Sequence, residues 1–289
     1  MKTIYHTRYF KKLIESNSYY VDKTDIIEEL TKGRKEVYLF PRPRRFGKSL
    51  FISMLDNFFN IEYKDINQNL FNNLKISKSD YYTYLSSIPV IKVDFKELKA
   101  VNYDKMYDKY KTLIYNIYDD KEYLYEYLSE TEKKLYNKFI DKTANDSEYE
   151  LAIQYLSKMM YNYYGRKVVI LMDEYDVPLH EGFLNNYYDD IINLVRGVFS
   201  SSLKGNDYMD FGVVTGILRV SGESLFSTFN NPKVYSILNE SYNETFGFTE
   251  SETKELLEYY GLELNRDVKN MYDGYVFGGV EIYNPWSIC

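Results

Sequence analysis

The sequence predicts an α/β fold in which a mostly parallel central sheet is flanked by helices, with a helical insertion and a small C-terminal helical lid. Three observations predict it. A β-prone run, Glu36-Val37-Tyr38-Leu39-Phe40, leads through Arg42-Pro43-Arg44-Arg45-Phe46-Gly47-Lys48-Ser49 into an apolar helical pattern, Leu50 to Leu55. Five consecutive apolar residues, Val168 to Met172, run into the paired acids Asp173-Glu174, as expected of a strand buried on both faces whose carboxyl end meets a site. A third run, Met209 to Ile217, reads as another such strand.

The remaining elements follow in order. Helices are expected from Arg8 to Ser16 and from Thr24 to Lys32. Ile88 to Phe95 reads as a strand, with Pro89 at its start where a missing donor is tolerated. Tyr103 to Tyr164 is polar and Tyr-rich, with helical spacing at Met106, Tyr110, Leu113, Ile114 and Ile117. It exceeds a single crossover, so it reads as a helical insertion with a solvated surface, broken near Asn145-Asp146-Ser147. A helix from Tyr187 to Leu203 should stop near Lys204-Gly205-Asn206. Thr249-Glu250-Ser251-Glu252 is a capping box for a helix through Tyr260 that stops at Gly261. Beyond it the chain reads as small, helical and Gly-Tyr rich, either a lid with Phe246-Gly247-Phe248 as its hinge or an ordinary C-terminal helix with no gating role.

Strand, Gly-Lys-Ser, helix is the order in which a P-loop NTPase holds a phosphate chain, because free amide donors, the helix dipole and a point charge converge there. The candidate phosphate contacts are Arg45, Phe46, Gly47, Lys48, Ser49 and Leu50, with Lys48 reaching the β- and γ-phosphates and the Ser49 hydroxyl a magnesium ligand. Arg42 departs from the usual first glycine of such loops, which puts the entry turn in question. The alternative is an ordinary turn at Gly47 and a solvated basic loop at Arg42, Arg44 and Arg45. Asp173 is the second magnesium ligand and Glu174 the base for an attacking water. Thr215 would orient that water. Arg219, just past its strand, would neutralise transition-state charge in the same or a neighbouring subunit, with an ordinary surface pair an equal alternative.

Together with these segments, Tyr20-Val21-Asp22-Lys23-Thr24, Thr215-Gly216-Ile217, Phe229-Asn230-Asn231, Phe246-Gly247-Phe248-Thr249 and Tyr272-Asp273-Gly274-Tyr275 make the chain resemble the AAA-ATPase-like family. The resemblance covers nearly the whole chain and implies ATP and Mg2+ as ligands, with the arginine-for-glycine loop a family trait. It also implies a continuation into a PD-(D/E)XK nuclease-like domain, so that domain or a protein partner is expected to work with this chain. No strand-borne Asp followed by Glu-x-Lys occurs in a matching downstream context, and the expectation is a chain truncated before the nuclease. The expected division is a P-loop core over 1–245, with the insertion around 100–165, and a lid over 246–289.

Composition narrows the function classes. At 289 residues and 45% apolar content the chain can bury a full α/β core. A net charge of -7, from 43 acids against 36 bases, argues against tight sequence-independent nucleic-acid binding. The single Cys289 excludes an internal disulfide, no apolar run approaches the ~18 residues of a membrane span, and the start lacks a signal region, so the cytoplasm is expected. His6 and His180 have no partners at zinc-ligand spacing, and no Gly-x-Ser-x-Gly elbow supports acyl transfer. The 34 tyrosines read as compositional bias rather than a stacking surface for bases. The reading is a magnesium-dependent ATPase that uses water as nucleophile. A non-hydrolysing nucleotide switch that docks a partner and a small-molecule phosphotransferase are its rivals.

Overall fold

The computed structural model describes residues 2–33, 37–67, 69–217, 233–272 and 274–289. In chain order the helices are α1 (Phe10–Glu15), α2 (Ile26–Lys32), α3 (Lys48–Phe59), α4 (Tyr103–Asp119), α5 (Glu130–Ile140), α6 (Asp146–Tyr164), α7 (Val177–Leu184), α8 (Tyr188–Phe199), α9 (Glu250–Tyr259), α10 (Arg266–Tyr272) and α11 (Pro285–Ile288). The strands are β1 (Val37–Pro41), β2 (Val90–Asp94), β3 (Val168–Asp173), β4 (Met209–Gly216), β5 (Lys233–Val234), β6 (Phe248–Thr249), β7 (Tyr275–Phe277) and β8 (Val280–Tyr283). The larger sheet is five-stranded and parallel, in the order β2-β3-β4-β1-β5, and helices flank it. The chain divides into two compact units, one of 1–33, 39–87 and 234–289, the other of 34–38 and 88–233.

In the second unit β3 is the middle of a parallel trio. It pairs with β2 from Val90↔Val169 to Asp94↔Asp173, and with β4 through Met172↔Val214. All six of its residues are buried, which is what a strand flanked by strands and covered on both faces requires. The expected insertion is three helices, each with a side-chain N-cap: Asn102 for α4, Ser129 for α5 and Asn145 for α6, the last two as capping boxes. Its tyrosines correct the expectation of a merely solvated surface. The buried Tyr110 hydroxyl donates to Tyr149 O (3.0 Å), Tyr118 to Ala152 O (2.7 Å) and Tyr136 to Tyr118 O (2.5 Å). These rings supply a core of their own, and each buried phenol finds a backbone carbonyl to donate to. The helix expected over 187–203 is α8 plus a π turn over Ser200–Lys204, and α7 precedes it with Pro178 in its first turn.

In the first unit α1 lies on α3, and Phe10, Phe58 and Phe71 form an aromatic cluster beside it. The C-terminal part departs from the all-helical lid expected. It holds α9 and α10 but also a three-stranded antiparallel sheet, β6-β8-β7. The hairpin turn is Gly278-Gly279, both at positive φ (51° and 84°), which suits the twist of a two-residue hairpin loop. Flanked by Tyr275-Val276-Phe277 and Val280-Glu281-Ile282-Tyr283, it is a hairpin signal that a helical reading passes over. Thr249 caps α9 as expected, its Oγ1 accepting from the Glu252 amide (3.3 Å) while Glu252 accepts from the Thr249 amide (2.8 Å). Among the described residues no helix is long and apolar enough to cross a membrane.

Candidate functional site: a phosphate loop and an acidic strand end

In the first unit the chain leaves β1 at Pro41 and enters α3 at Lys48. Between them Arg45 (φ 70°) and Gly47 (φ 84°) take the left-handed conformation, whereas Arg44 and Phe46 do not. Alternating handedness turns successive amide groups toward one centre, the arrangement called an anion nest. For Gly47 the conformation costs nothing in sterics. For Arg45 it costs on the order of 1 kcal/mol, a strain that recurs at ligand-binding turns. Gly47 is the N-cap of α3, yet no side chain caps that helix and its first turn holds no acid, unlike α4, α5, α6 and α9. The first amides of α3, including those of Lys48, Ser49 and Leu50, therefore face the loop at the positive end of the helix dipole. The Lys48 ammonium, nearly buried, donates to Arg42 O (3.0 Å) and Pro43 O (2.8 Å), which fixes it over the loop.

Arg42 is neither a turn residue nor part of a solvated basic loop. Its side chain is 0% exposed; Nη1 donates to Pro41 O (3.0 Å) and Tyr235 O (2.5 Å), and Nη2 to Tyr242 O (3.0 Å). The guanidinium lies 5.0 Å from the Phe246 ring centroid and 5.4 Å from that of Phe277. Burial lowers its pKa to about 10, and the chain offers it no carboxylate among the described residues. The Arg44 and Arg45 side chains are exposed, as in the alternative reading of a solvated basic loop, with Arg45 over the Trp286 ring (4.8 Å). Phe46 is buried against Tyr275 (4.8 Å) and Phe277 (5.3 Å). Gly247 sits so close to it that a Cβ there would meet Phe46 Cδ1 at 2.9 Å and Tyr283 O at 3.0 Å.

In the second unit Asp173 and Thr215 stand at the carboxyl ends of neighbouring strands. The Thr215 hydroxyl, fully buried, donates to Asp173 Oδ1 at 2.5 Å, so it orients a carboxylate that is itself only 4% exposed. Glu174 follows at φ 55°, a left-handed residue at the strand end, and its half-buried side chain is a second acid at the same turn. The turn is tied back by Tyr175 N to Thr215 O (3.3 Å) and by Ile217 N to Asp176 Oδ2 (3.0 Å). Gly216 is required there, since a Cβ would meet Asp176 Oδ1 and the Tyr175 ring at 2.6 Å. Asp94, the register partner of Asp173, is an acid that sequence reasoning missed, although β2 also runs apolar residues into an aspartate. Its Oδ1 accepts from the Lys96 amide (3.0 Å).

The structure thus groups the loop residues in one unit and Asp173, Glu174 and Thr215 in the other. Arg219, Glu36, Asp273 and the Phe229-Asn230-Asn231 segment lie outside the described residues. Ser49 in the first unit and Asp173 in the second are each a hard oxygen donor of the type that suits Mg2+, and among the described residues no three or more His, Cys, Asp or Glu side chains gather where they could hold a metal ion.

The chain is 27% identical, over 282 residues and 96% of its length, to an uncharacterized protein in the vnfD 5' region of Azotobacter chroococcum mcd 1. It spans about half of that relative, 49% of its length. No solved structure matches. Residues 5–226 match the family described as Predicted AAA-ATPase, a range that takes in the 42–49 loop, the acidic strand end and Thr215, and the chain belongs to this AAA-ATPase-like family.

Proposed function

We propose that the chain binds ATP with magnesium at the 42–49 loop and hydrolyses its β-γ phosphate bond with water. The observation that carries the reading is the loop itself: left-handed Arg45 and Gly47, an uncapped helix start, and the Lys48 ammonium held over the loop by two of its own carbonyls. Such a loop offers several amide donors and a fixed cation to an anion of high charge density.

In this proposal the amides of Arg45 through Leu50 hold the phosphate chain, and Lys48 neutralises charge on the β- and γ-phosphates. Ser49 and Asp173 serve one magnesium ion, which when bound shields phosphate charge and orients the chain. Glu174 accepts the proton of the attacking water, and Thr215 keeps the Asp173 carboxylate in its working orientation by donating to it. Arg219 is proposed to stabilise transition-state charge. The rival switch and phosphotransferase readings fit the same loop, but a second acid directly after Asp173 favours activation of water over both. We further propose that the nucleotide cycle drives a partner, either a nuclease-like domain or a separate protein.

Turnover by Glu174→Gln tests the reading. An ATPase loses hydrolysis and keeps ATP; a switch is indifferent to the change. Phosphate appearing on an added acceptor without release of free phosphate makes the phosphotransferase the better description.

A further inference from the structure

Two side chains of the phosphate loop leave it altogether and bury themselves in the C-terminal segment, residues 234–283. Arg42 serves the carbonyls of Tyr235 and Tyr242 and lies against the rings of Phe246 and Phe277. Phe46 fills the space bounded by Tyr275, Phe277 and Gly247. Each is one step from a group that would hold phosphate, Arg42 through a hydrogen bond and Phe46 through a peptide bond. The Arg42 carbonyl accepts from the Lys48 ammonium, and Phe46 precedes Gly47, whose left-handed backbone starts α3. A shift of the segment therefore moves the acceptor that positions the ammonium and the turn that aims the amides.

The interactions at Arg42 are specific to a guanidinium. Three carbonyls and two ring faces match its planar donors and weak hydration; a lysine ammonium could not serve them together. Its Nε has no hydrogen-bond partner among the described residues, so the cation is held by neutral groups alone. That is an expensive way to fill a position where glycine would suffice for a turn, and it calls for a role beyond the turn. Lys23 adds a second tie to the same segment, donating to Glu244 O and Glu252 Oε2, both at 2.6 Å.

We propose that Arg42 and Phe46 are positioning residues that make the anion affinity of the loop depend on the docked C-terminal segment, so that a loaded loop and a docked segment stabilise each other. Reciprocity follows from thermodynamic linkage: whatever loosens the segment weakens phosphate binding, and phosphate tightens the segment. A protein that pulls on residues 234–283 thereby controls the nucleotide. The inference rests on the nucleotide reading above.

Hydrogen exchange of the full chain with and without MgATP tests it. MgATP slows exchange of amides in 234–247 and 275–283 by about tenfold, and Arg42→Met loses that protection while its Kd for MgATP rises by about tenfold or more. Arg42→Lys does not restore the coupling. Unchanged exchange of the segment in the wild-type chain on binding MgATP, or wild-type affinity in Arg42→Met, overturns the proposal. Should Arg42→Met fail to fold, the wild-type exchange decides by itself, and Phe46→Leu is the second variant, expected to weaken both protection and affinity. A wild-type chain that does not bind MgATP, or a Lys48→Ala chain that binds it equally well, removes the nucleotide reading instead. In that case sodium tripolyphosphate is the probe: protection of the segment upholds the coupling, and binding without protection overturns it.

Discussion

The 42–49 loop and the acidic strand end both place a non-glycine residue in the left-handed conformation between a strand and a helix, Arg45 four residues after β1 and Glu174 directly after β3, yet they are held by different physics. The loop is shaped by buried side chains: Arg42 and Phe46 lock into a separate part of the chain. The acidic end is shaped by polar contacts at and just beyond the strand ends, Thr215 to Asp173 and the Ile217 amide to Asp176. The difference teaches where each region is vulnerable. Packing changes far along the sequence should disturb the loop, whereas the acidic end should respond to single hydrogen bonds.

The largest expected effect sharpens the chemical side of that contrast. Glu174→Gln keeps the shape of the side chain and removes the base, so steady-state turnover should fall by roughly 10²- to 10⁴-fold with the Kd for MgATP changed by no more than about threefold. Equal loss of binding would move Glu174 from chemistry to structure.

Next in size is Thr215→Val, which deletes the hydroxyl and leaves a buried carboxylate oxygen without its donor. Hydrogen bonds to charged groups of this kind contribute about 1.5–3 kcal/mol. Denaturant unfolding should show a loss of that order, and the magnesium concentration needed for half-maximal turnover should rise. A neutral outcome would break the claim that hydrogen bonds shape the acidic end.

Most strands of the large sheet and several helix starts were legible because their signals are local: five apolar residues before Asp173, Gly47-Lys48-Ser49 before an apolar helix, and Thr249 three residues ahead of Glu252. The C-terminal hairpin was legible too, through Gly278-Gly279 between aromatic and β-branched residues, but the helical pattern before it set the wrong period for the stretch. Arg42 could not be read. Its carbonyl and ring partners lie at positions 235, 242, 246 and 277, and nothing in the octapeptide announces them. Asp94 escaped because a lone acid at a strand end is ordinary until register sets it beside Asp173.

The smallest expected effect separates local from distant support within the first unit. Thr249→Ala removes the cap of α9 and should cost about 1 kcal/mol, a fall of roughly 2–4 °C in Tm. Lys23, tied to Glu252 in the same capping box, should shift with it. If nucleotide affinity falls as well, the C-terminal segment reaches the loop through α9 as well as through Arg42 and Phe46.

Calorimetric titration of MgATP into the wild-type chain and into Lys48→Ala tests the central claim most directly. Saturable binding with one nucleotide per chain, weakened by about 30-fold or more when the ammonium is removed, is the predicted result. No binding to the wild-type chain, or the same Kd in both proteins, would contradict it.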